Sequence, residues 1–81
     1  KMFNDEIKLF DERSNLIGRI KIYPNGDKIA YDGKGSLIAR YNHNLNITTK
    51  ETYGNIIARR DALMTFFPNV TIYLSGYFQI L

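Results

Sequence analysis

The sequence predicts an all-β domain built from antiparallel β-hairpin repeats, and three observations carry that prediction. A ten-residue block occurs three times without a gap: Phe10-Asp-Glu-Arg-Ser-Asn-Leu-Ile-Gly-Arg19, Tyr31-Asp-Gly-Lys-Gly-Ser-Leu-Ile-Ala-Arg40 and Lys50-Glu-Thr-Tyr-Gly-Asn-Ile-Ile-Ala-Arg59, at spacings of 21 and 19 residues. Repetition at that period marks one supersecondary unit used several times. Turn-forming residues fall about every ten positions, the spacing of short antiparallel strands. Between the turns, apolar residues alternate with polar ones in the period of two that a half-buried strand requires.

The elements follow in order. A first hairpin, within about residues 7–27, turns at Glu12 to Asn15, and Pro24-Asn25-Gly26 leads into the next unit. Pro24 sets φ there, and Gly26 supplies the positive φ of a tight turn. The second unit, about 28–46, turns through Gly33 to Ser36 and ends at Asn42-His43-Asn44; the third, about 47–66, turns through Thr52 to Asn55. In each second strand one parity is apolar with a small residue at its centre: Leu16, Gly18, Ile20 and Ile22, then Leu37, Ala39 and Tyr41, then Ile56 and Ala58. This face is the expected core. Ile17, Arg19, Lys21 and Tyr23, with Ile38 and Arg40 and with Ile57 and Arg59, are expected on the opposite face.

The segment Asp61 to Phe67 admits a longer strand or a single helical turn capped by Asp61, and the strand is preferred. Val70 to Leu81 alternates as a divergent terminal hairpin, about 67–81, turning at Ser75-Gly76 and lacking the acid and arginine columns. Two strands per unit bring the expectation to about eight strands in one domain spanning residues 1–81.

The succession of aromatic, Asp, glycine-containing turn, Leu-Ile-Gly/Ala-Arg and Asn-Gly resembles the hairpin units of the bacterial β-flower proteins. Asp11, Leu16, Ile17, Gly18, Arg19, Asn25, Gly26, Asp32, Gly35, Leu37 and Ile38 carry the resemblance, over about residues 7–60. Tyrosine-aspartate hairpin repeats share the same grammar. The resemblance implies a small radial assembly of short hairpins, from a bacterial source, with no established activity. A curved sheet or a sandwich satisfies the same pattern.

Composition narrows the function classes. At 81 residues and 44% apolar content the chain is a single globular unit, short enough to bury only roughly 60–65% of its unfolded surface. It contains no cysteine, which excludes disulfides and thiolate metal sites. No apolar run approaches the length of a membrane-spanning helix. The net charge of +3 permits an acidic partner without requiring one, and nothing indicates a compartment.

Candidate chemistry is sparse. Arg19, Arg40 and Arg59, with Lys21 beside them and Lys34, Tyr23 or Tyr41 in support, form a candidate surface for polyanions such as single-stranded nucleic acid or acidic glycan, because guanidinium forks suit phosphate and carboxylate. The competing expectation is that these arginines pair with the equally periodic Asp11, Asp32 and Glu51 of neighbouring strands. His43, the sole histidine, reads as a turn residue rather than a metal ligand or a base, since no nucleophile or carboxylate cluster accompanies it. Asp11, Glu12 and Asp32 read as turn acids rather than a catalytic pair, and Gly33 and Gly35 precede no helix that would cradle a phosphate. Asn46-Ile47-Thr48 and Asn69-Val70-Thr71 match the N-glycosylation pattern on or beside strands. A polysaccharide hydrolase would need a carboxylate pair that no spacing places. No cofactor is expected. The leading functional expectation is a non-enzymatic structural or protein-interaction module, a homo-oligomer or a subunit of a larger assembly, with Tyr77, Phe78, Ile80 and Leu81 as candidate partner contacts.

Overall fold

A computed structural model describes residues 5–51, 54–68 and 70–74. They form one all-β, antiparallel sheet of seven strands: β1 (Asp5–Phe10), β2 (Leu16–Ile22), β3 (Lys28–Asp32), β4 (Leu37–Asn42), β5 (Ile47–Lys50), β6 (Ile56–Ala58) and β7 (Thr71–Leu74). Their order across the sheet is β6-β5-β4-β3-β2-β1-β7. Three hairpins thus lie side by side, and β7 joins the far edge by pairing with β1. The terminal turn at Ser75-Gly76, and any strand after it, lie outside the described residues. Among the described residues no helix is long and apolar enough to cross a membrane.

The Leu-Ile-Gly/Ala columns of the repeat encode a bulge in each hairpin. Leu9 faces Gly18 while Phe10 faces Leu16, so Ile17 is skipped. Ile38 is skipped in the same way between β3 and β4, and Ile57 between β5 and β6. At a bulge two residues oppose one and the strand bends, breaking strict alternation. Ile17 and Ile38 therefore pack against the core instead of lying on the opposite face as parity predicts. The small residue that follows leaves room for them, since two successive large side chains would compete for one space. Ile20, Ala39 and Tyr41 are buried on the expected face together with Leu9 and Ala30, whereas Ile56, expected on that face, is 49% exposed because it lies on the short edge strand β6.

That face is closed by the segment after β6. Residues Leu63–Phe66 form a single 3₁₀ turn rather than the preferred strand. The apolar residues 62, 63, 66 and 67 come as adjacent pairs, and Ala62, Leu63 and Phe67 are all buried, a spacing that suits a helical turn better than alternation. Asp61 Oδ1 accepts the Leu63 N–H at 3.2 Å, and Thr65 Oγ1 donates to the Ala62 carbonyl at 2.6 Å. Two anchors hold the crossover to the sheet. Thr48, fully buried, donates to the Arg60 carbonyl at 2.6 Å and accepts the Ala62 N–H at 3.0 Å. Lys28 Nζ meets Asp61 at 2.6 Å. At the far end the Phe67 ring rests on Gly18, where a Cβ would overlap the ring edge and lie 2.8 Å from the Tyr31 carbonyl oxygen.

The crossover also accounts for the repeat stopping after three units. β2 receives β3 from Gly18 to Ile22, and β4 receives β5 from Arg40 to Asn42. β6 ends at Ala58 and the chain bends through Arg59 and Arg60. The stretch that would pair with a further first strand is therefore absent.

Candidate functional site

The periodic acids do not pair with the periodic arginines. Asp11 Oδ1 accepts the N–H groups of Arg13 and Asn15 at 2.8 and 2.9 Å, and Asp32 Oδ1 accepts those of Lys34 and Ser36 at 2.9 and 2.8 Å. Each acid thereby fastens its own hairpin turn, as short polar side chains do at turn starts. The Asn15 N–H, with further donation from Arg13 and the Asn15 side chain, holds the Asp11 carboxyl below its usual range against the opposing effect of desolvation. The third unit breaks the column. Lys50, not Glu51, donates its N–H across the turn to Asn55, and Glu51 takes a positive φ of 56° and donates its N–H to the Ile38 carbonyl.

The arginines find other acids. Arg40 binds Asp27 Oδ2 at 2.8 Å, and Arg19 stands 3.6 Å from Glu6 with 44% of its side chain exposed. Asp27 also accepts the His43 N–H at 2.9 Å, so one carboxylate ties the Pro24-Gly26 turn to the β4–β5 turn. Burial would raise the Asp27 pKa, but the His43 and Arg40 hydrogen bonds and the Arg40 charge together bring it below the ordinary value. His43 packs its ring against Gly26 and meets Tyr41 edge-on at 6.2 Å. Its turn position matches the expectation.

Register sets the composition of the sheet's outer face. Lys8 lies opposite Arg19, Arg19 opposite Tyr31, Lys21 opposite Ile29, and Ile29 opposite Arg40. Of the predicted cations, Arg19 and Lys21 come together with Lys34: they line one cleft of about 240 Å³ with Tyr31, Gly33 and Gly35. Lys21 Nζ lies 5.2 Å over the Tyr31 ring, within cation–π range. Burial, reinforced by the charge and hydrogen bond of Tyr23, pushes the Tyr31 hydroxyl pKa up.

Arg40 lines a separate cleft with Tyr23, Pro24, Asn25 and Asp27. Arg59 is exposed in the bend beyond β6. Arg19 on β2 and Arg40 on β4 are separated by β3 and lie opposite Tyr31 and Ile29 in it, so their backbones stand about 10 Å apart across the sheet and about 7 Å apart along it. The arginines do not form a single cluster. Tyr41 faces the core at 8% exposure and takes no part. Tyr31 was not anticipated, although its place beside Ala30, a small core residue, puts it on the outer face by parity.

The other sequence candidates resolve locally. Asn46 has a positive φ of 56°, accepts the Tyr41 hydroxyl at 2.7 Å and donates to the Arg59 carbonyl at 3.4 Å. Its amide thus holds the β4–β5 turn, and Thr48 of the same tripeptide is buried. Asn69, Tyr77, Phe78, Ile80 and Leu81 lie outside the described residues. Among the described residues no three His, Asp or Glu side chains gather as metal ligands would. The chain matches no protein-family model, no curated protein and no solved structure.

Proposed function

We propose that this domain is a non-enzymatic β-repeat binding module that holds a polyanionic chain on the outer face of its sheet. One observation carries the reading: Arg19, Lys21 and Lys34 open into a single cleft, while Asp11 and Asp32, the acids of the first two units, are committed to turn amides. The Arg19 contact with Glu6 is long, at 3.6 Å, and although Glu6 is only 13% exposed, 44% of the Arg19 side chain stays open to an anion from solvent. Lys8, exposed and directly opposite Arg19, adds to the same field. Titration of labelled heparin, single-stranded DNA and single-stranded RNA at about 50 mM salt tests the proposal, with an affinity that falls steeply as salt rises. Failure to hold any of the three would refute it.

A second reading is favoured by the exposure of Ile56 and Ile57, at 49% and 45%, on the edge strand β6. An apolar strand edge is a site for pairing with another chain, and a second copy of this protein would bring the same isoleucines together across a two-fold axis. Sedimentation over a range of concentrations decides it: a dimer that Ile57→Lys dissociates supports this reading, and a monomer throughout removes it.

A further inference from the structure

The aromatic side chain of the basic cleft already has partners, and this selects among anionic polymers. Single-stranded nucleic acid is held by combining backbone charge contacts with bases stacked on aromatic rings, at about 1–3 kcal/mol per base. Tyr31 is the aromatic residue lining the cleft, and the Lys21 ammonium sits over its ring. Its hydroxyl is hydrogen-bonded with Tyr23, which lines the neighbouring cleft. The backbone of the cleft is engaged as well. The N–H groups of Lys34 and Ser36 go to the Asp32 carboxylate, and that of Gly35 goes to the Asp32 carbonyl at 3.0 Å. The turn therefore presents no nest of open amides to a phosphate.

What the cleft offers is side-chain charge. Arg19 and Lys21 project from one face of β2 about 7 Å apart, and Lys34 faces them from the β3–β4 turn. Building on the polyanion reading above, we infer that the outer face takes an acidic polysaccharide, a sulfated or uronic-acid chain whose charges hang from non-aromatic rings, in preference to single-stranded nucleic acid. Such a chain needs charges at intervals and no stacking platform.

Heparin oligosaccharide and oligo(dT) of equal charge number, titrated separately against the intact chain at about 50 mM salt, test the inference. Heparin is expected to bind at least about tenfold more tightly, the equivalent of one stacking contact forgone by the nucleic acid. Lys21→Met removes the ammonium from the Tyr31 ring, and is expected to weaken heparin while narrowing the gap to oligo(dT). Oligo(dT) binding as tightly as heparin would overturn the inference and leave the polyanion reading standing. An equal loss of both ligands in Lys21→Met would also overturn it, because the ring would then play no part in selection. If neither ligand binds, the polyanion reading itself falls.

Discussion

Gly18→Ala is a substitution that the repeat pattern marks as harmless and the packing marks as costly. The same column holds Ala39 and Ala58, so alanine satisfies the bulge. At position 18, however, the new methyl would overlap the edge of the Phe67 ring and come within 2.8 Å of the Tyr31 carbonyl oxygen. Overpacking of this kind costs about 1–3 kcal/mol. Alanine restores about 0.4–1 kcal/mol by restricting the unfolded chain, leaving a net loss centred on about 1.3 kcal/mol. For a domain of this size, each kcal/mol lowers Tm by roughly 4–8 °C. Thermal and urea unfolding followed by far-ultraviolet circular dichroism measure the change. Phe67→Leu in the Gly18→Ala background should recover part of the loss, giving a coupling energy above about 0.5 kcal/mol in a double-mutant cycle. A Gly18→Ala protein as stable as the parent, or losses that simply add, would refute the placement of Phe67 on β2 and with it the path of the crossover.

Two further outcomes follow from the anchors. Thr48→Val keeps the shape but leaves the buried Ala62 N–H and the Arg60 carbonyl without their partner, a loss of about 2–4 kcal/mol in urea unfolding; a change under about 0.5 kcal/mol would contradict the anchor. Asp27 is held below its ordinary pKa in the folded chain, so its contribution to stability is full above about pH 4 and is lost as pH falls through the folded value. Asp27→Asn should therefore flatten the acid limb of the stability curve below about pH 4, and an unchanged limb would show that other carboxylates set it.

Much of this architecture is legible in the chain, and the parts that are not have local causes. Parity alone places Gly18, Ile20, Ala39 and Tyr41 on the core face, because strand alternation is dictated by backbone geometry. Ile17 and Ile38 escape that rule because a bulge removes one step of alternation, and the signal for it is the small residue next in line. The acid column reads as ionic partners if only its period is considered. A turn-start aspartate, though, has its own amides within reach before any strand is paired, so Asp11 and Asp32 bond locally. Leu63–Phe66 is obscured by neighbouring strands and by a short length that propensity scarcely registers, although the paired apolar positions around it carry the helical spacing. The arginine column misleads for a geometric reason: equal positions in successive hairpins stand two strands apart, whereas a cleft is assembled from one strand, its neighbour and their turn. Lys34 joins Arg19 and Lys21 through that turn, as the period of the repeat does not show.

The claim that location, rather than net charge, makes the outer face bind polyanions is tested by two variants that each remove two positive charges. Lys21→Gln with Lys34→Gln empties the cleft, while Arg59→Gln with Arg60→Gln changes the exposed bend beyond β6 by the same amount. Heparin affinity at about 50 mM salt should fall at least about tenfold in the first and change by less than about threefold in the second, with a shallower salt dependence only in the first. Equal losses in the two variants, or a larger loss in the second, would contradict the assignment of the site.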